Sequence, residues 1–105
     1  MQITLFLEAS TMEETKQIIN HFRNFTNSYG VSVCVSKVEK YWKIENMYRS
    51  ILEVDILSKA KLKMMMNSIA SKWQELPDEF LASKTMDDCK IYIPNLYMII
   101  VNLAD

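Results

Sequence analysis

Gly30 is the chain's only glycine, and the hydrophobic period changes across it. On its N-terminal side Met12, Ile18, Ile19, Phe22, Phe25 and Tyr29 recur at helical spacing. On its C-terminal side Val31, Val33 and Val35 alternate with Ser32, Cys34 and Ser36, which is the period of a strand. A glycine at such a junction can take the left-handed conformation that ends a helix. The pattern predicts a helix over about 12–29 running straight into a strand. Ser10 stands three residues before Glu13 and Thr11 three before Glu14, both at the spacing of a capping box that starts a helix. Ahead of them, Met1 to Leu7 reads as a strand, with Ile3, Leu5 and Leu7 on one face and Phe6 on the other.

The same reasoning carries down the chain. Tyr48 to Leu57 predicts a strand in which Leu52, Val54 and Ile56 face one way and Arg49, Glu53 and Asp55 the other. A hairpin turn is expected near Glu45-Asn46, because Asn tolerates positive φ. Ser58 can cap a second helix whose apolar face is Leu62, Met65, Met66, Ile69 and Trp73, with Pro77 as its stop. A short strand is expected near 79–84. Leu96 to Leu103 is almost continuously apolar, as in a strand buried on both faces or central in a sheet. The order β-α-β-β-α-β, with one extra short strand before the last, resembles the ferredoxin-like arrangement. That resemblance implies an α+β sandwich with two helices on one face of an antiparallel sheet. The fold hosts many unrelated functions, so it fixes none.

Length and composition bound the rest. The 105 residues make one globular domain, with half of them hydrophobic and 24% charged. Charge is blocked along the chain: residues 1–14 hold three acids and no base, residues 15–74 ten bases and four acids, residues 75–105 six acids and two bases. Two cysteines are too few for a secreted disulfide scaffold. Cys34, within a strand, is expected to be a buried thiol, and a Cys34–Cys89 disulfide is the minor alternative. Ile3 to Leu7 is too short for a signal-peptide core, and no apolar run reaches spanning length. The expected compartment is the cytoplasm.

Several chemistries lack their residues. His21 is the one histidine; it flanks the apolar stripe one turn from Phe25 and is expected to be a partly buried helix-border residue. No G-x-S-x-G nucleophile elbow is present. A phosphate-cradling loop needs several glycines, so the P-loop and the dinucleotide fingerprint are excluded. Asp87-Asp88 is expected to be a solvated loop rather than a cation site, since adjacent carboxylates point apart. The aromatic strand motif of RNA-binding sheets is missing, and Lys40-Tyr41-Trp42-Lys43 is its nearest echo. The chain is expected to be non-catalytic, with no metal, no cofactor and no direct nucleic-acid partner.

What remains are surfaces. Tyr41, Trp42, Ile44, Met47 and Tyr48 cluster around the predicted hairpin, and Trp and Tyr dominate interface hot spots. Glu75, Asp78, Glu79, Asp87 and Asp88 form an acidic stretch suited to a basic partner. Met64 falls off the core stripe of its helix, whereas Met65 and Met66 lie on it. In size, mild acidity, absent catalytic apparatus and α/β build, the chain is similar to the bacterial immunity proteins of contact-dependent inhibition systems. That resemblance implies a binding protein that neutralises a cognate toxin by occluding its active site, and an acidic loop would suit a basic nuclease as that toxin. The second expectation is a dimeric α-β barrel protein. There two ferredoxin-like sheets would close around a small aromatic ligand to bind or oxidise it, with His21 and Trp73 nearest the chemistry.

Overall fold

The computed structural model describes residues 1–56 and 58–103. The strands are β1 (Gln2–Glu8), β2 (Val31–Lys40), β3 (Met47–Ile56), β4 (Gln74–Leu76), β5 (Glu79–Ser83) and β6 (Leu96–Asn102). The helices are α1 (Met12–Asn27) and α2 (Lys59–Ile69). All six strands form one sheet in the order β2-β3-β1-β6-β5-β4, and every neighbouring pair is antiparallel. The fold class is α+β. Leu57, read as the end of the second hairpin strand, and the side chain of Ile56 lie outside the described residues.

The helix ends follow from local chemistry. Thr11 caps α1, its Oγ1 accepting from the Glu14 amide at 3.1 Å, while the Ser10 hydroxyl donates to the Glu14 carboxylate. Ser58 caps α2 in the same way, accepting from the Lys61 amide at 3.1 Å. Gly30 has φ +72°, as its place after α1 required. The Lys61 ammonium lies beside it, near the C-terminus of a helix with no basic residue in its last turn. Among the described residues, Asn46, Asp78, Asp88 and Asn95 also have positive φ. In a chain with one glycine, Asn and Asp supply the left-handed turn positions instead.

The core lies on one face of the sheet. Ile19 and Phe22 of α1 and Leu62, Met65, Met66 and Ile69 of α2 join Ile3, Leu5, Leu7, Leu52, Ile99 and Val101 in one buried cluster. Both helices therefore cover the same face. On the other face, Thr4, Ile51, Ile100 and Leu81 lie side by side across four strands, outside that cluster. Thr15 and Thr26 are buried and donate back to carbonyls of their own helix, and the buried Ser50 donates to Lys37 O across a β-bulge. Among the described residues, no buried side-chain polar atom lacks a partner.

The structure differs from the sequence reading at several points. Helix α2 ends at Ile69, eight positions before Pro77, because Ala70 already turns extended. Trp73 is therefore off the helix, and its indole donates to Met66 O at 3.0 Å. Pro77 instead opens the two-residue Pro77-Asp78 turn joining β4 to β5, and β4 itself was not foreseen. Cys34 is exposed rather than buried: Val31 and Val33 point inward, so alternation sends Cys34 outward. Cys34 and Cys89 are both free. His21 is exposed, not partly buried.

Gly30→Ala should destabilise the fold by about 1–2 kcal/mol, the usual cost of holding an L-residue left-handed, and Gly30→Asn should cost less. Urea unfolding of the three proteins checks this. Equal midpoints for Gly, Asn and Ala would contradict it.

Candidate partner-binding surface

The ten residues singled out from the sequence fall into three places. The first is the β2–β3 turn, residues 41–46. Tyr41 packs edge-on against Phe6, with ring centroids 5.1 Å apart, on the sheet face that no helix covers. The Arg49 guanidinium lies 5.9 Å from the Tyr41 ring centre and also binds Glu39. Tyr41 thus anchors the turn to the sheet rather than offering itself whole to a partner. Trp42 is the most exposed large apolar residue described, at 82%. The Lys43 ammonium stands 5.2 Å from its ring centre. Ile44 is exposed beside it.

Met47 and Tyr48 are a correction to the expected surface: both are buried. They open β3, which is hydrogen-bonded to β1 on one side and β2 on the other, with Tyr48 paired to Leu7 and Lys40. Tyr48 points to the helix-covered face with its partner Leu7, and Met47 to the other face, on which Phe6 and Tyr41 pack, so pairing on both edges and local packing leave neither side chain exposed. Neither can act as a contact without unfolding the strand end.

The acids do not form one patch. Glu75, Asp78 and Glu79 sit on the β4–β5 hairpin, where Glu79 pairs with Asn102, which in turn pairs with Gln2. The aromatic turn adjoins the other end of β1, where Glu8 pairs with Met47. The two features therefore stand at opposite ends of the sheet. Asp87 and Asp88 are on the loop after β5, which folds back so that the Lys72 ammonium reaches Asp87 O at 3.3 Å.

The turn has acids of its own that the sequence reading passed over. A shallow cleft of about 420 Å³ beside it is lined by Ile44, Glu45, Asn46, Glu8, Glu14 and Tyr97. The Ala9 amide donates to Asn46 O at 3.1 Å and holds the turn against the start of α1. Glu8 is paired with Lys84, while Glu14 and Glu45 bring negative charge next to Ile44. Glu14 reads in sequence as a capping residue and Glu45 as part of a turn. Only the tertiary approach of residues 8–14 to residues 44–46 turns them into a rim.

At the turn's base, the hydrogen bond from Arg49 and then that from Lys37 hold the Glu39 carboxyl below its ordinary value of 4.5. The Arg49 Nε–Glu39 contact is 2.9 Å and the Lys37 contact 3.3 Å. Among the described residues, no three of His, Cys, Asp and Glu converge as a metal site, and no helix is long and apolar enough to cross a membrane. In comparisons with known proteins, no family model matches the chain, and no curated protein or solved structure is significantly similar to it.

A carboxyl whose folded pKa is lowered adds stability above its unfolded value and loses it as pH falls through the folded one. Glu39→Gln should therefore lower the melting temperature at pH 7, with the difference shrinking once pH drops below about 4.5. Thermal melts of both proteins from neutral to acid pH check this. A gap that widens in acid would contradict the assignment.

Proposed function

We propose that this domain is a non-catalytic binding protein that docks a protein partner through the β2–β3 turn. The observation that carries the reading is the indole of Trp42, 82% exposed at the tip of a hairpin whose base is braced by Tyr41, Phe6, Arg49 and Glu39. Covering an aromatic side chain of 150–250 Å² is worth about 4–6 kcal/mol of transfer free energy before ordering costs. A rigid base keeps those ordering costs low, because the turn need not be immobilised on binding. Glu14 and Glu45, which share a cleft with Ile44 of the same turn, favour a basic partner surface and steer its approach.

The specific role we propose is that of a bacterial immunity protein. It would neutralise a cognate toxin in the cytoplasm, a nuclease whose basic phosphate-binding cleft the turn would block. The acids of the turn's own rim take the electrostatic part, in place of the Asp78 hairpin at the far end. We further infer a ferredoxin-like fold. The order β2-β3-β1-β6 with both helices on one face supports it, and the β4–β5 hairpin then extends the sheet beyond β6.

A second reading, the dimeric α-β barrel around a small aromatic ligand, has one observation in its favour. The face without helices carries an apolar band of half-buried Ile51, Ile100, Leu81 and Met98. Sedimentation separates the two: that reading requires a dimer, whereas docking through Trp42 works from a monomer.

Trp42→Ala should leave the unfolding midpoint unchanged and weaken partner binding by more than about tenfold, the loss typical of a hot-spot aromatic. The check is co-expression in the native host background. A neighbouring gene product that arrests growth alone should be tolerated with the wild-type protein and not with Trp42→Ala. Equal protection by the two would remove the turn from the binding site.

A further inference from the structure

At the end of the sheet opposite the aromatic turn, the core is left partly open. A cleft of about 940 Å³ lies between α2 and the ends of β3 and β5, with Val54, Leu62, Met66, Trp73 and Phe80 as its apolar walls. That volume is at the upper end of the range for small-molecule sites, which are mostly apolar with a few placed polar groups. The indole nitrogen of Trp73 is already bonded to Met66 O, so the ring serves as a fixed apolar wall.

The rim supplies the polar groups. Lys59 and Lys63 stand one turn apart on α2, and neither has an ion pair among the described residues. Two acids also border the cleft, Asp55 and Glu75. Val54 pairs with the inward-facing Val33, so alternation turns the Asp55 side chain to the opposite face. Glu75 pairs with Phe80 and shares its side, so among the described side chains one carboxylate borders the cleft with two lysine ammonium groups.

From this geometry we infer that the cleft binds a small amphipathic anion: an apolar body against Trp73, Phe80 and Met66, with a carboxylate held between Lys59 and Lys63. The site is independent of the proposed partner surface, since Trp42 lies at the other end of the sheet.

Trp42→Phe leaves Trp73 as the only tryptophan, so its emission reports on the cleft. Titration of this protein with decanoate should shift the emission saturably, and decyltrimethylammonium, with the opposite head-group charge, should bind much more weakly. Adding Lys59→Glu and Lys63→Glu, both exposed positions, should weaken decanoate binding at least about tenfold without moving the unfolding midpoint. Asn67→Phe, which fills the mouth from an exposed helix position, should do the same and does not depend on charge. No emission change with decanoate, or equal binding of the cationic amphiphile, would overturn the inference.

Discussion

β1 is the strand on which the rest of the molecule depends. It is hydrogen-bonded to β3 along one edge and β6 along the other, so its backbone is satisfied throughout. Ile3, Leu5 and Leu7 are essentially inaccessible, and both helices pack onto the layer they begin. Its two ends also organise the surface. At Glu8 the β2–β3 turn, the start of α1 and Lys84 meet; at Gln2 the chain faces Asn102 and, beyond it, Glu79. Polar chemistry is thus pushed to the two ends of the sheet, because its middle is needed for packing.

The elements with strong periodicity were legible in the sequence. Gly30, Thr11 and Ser58 mark helix boundaries through chemistry confined to a few neighbouring residues, and the structure uses all three as that chemistry demands. Asn46 takes the positive φ assigned to the turn. What failed were inferences needing the third dimension. β4 has only three residues, too few for a period, and exists because β5 offers it an edge. Pro77 was read as a helix stop because a helix pattern preceded it, but Ala70 leaves the helix first, and the Ala70–Ile91 bridge and the Ser71 amide bond to Lys90 O take over. The exposure of Cys34 follows from its own strand's alternation with Val33 and Val35, which outweighs the general tendency of a cysteine to be buried.

The candidate surface was half legible. Trp42 and Ile44 are exposed as a turn position implies, whereas Met47 and Tyr48, close by in sequence, are buried where β3 pairs with β1, about 40 residues away, and with the neighbouring β2. Aromatic content locates a candidate turn, but only pairing decides which side chains the sheet consumes. The acids show the same limit. A run of carboxylates between residues 75 and 88 reads as one patch and is split by the β4–β5 hairpin, while Glu14 and Glu45, distant in sequence, share a cleft rim.

The proposed partner contacts the molecule at the Trp42 end. Hydrogen exchange read by mass spectrometry, on the protein free and bound to the partner recovered from its host, tests this most directly. Docking through Trp42 predicts new protection confined to residues 41–46 and the start of α1. Protection confined to the Pro77-Asp78 hairpin or to the uncovered sheet face, with residues 41–46 unchanged, would contradict it.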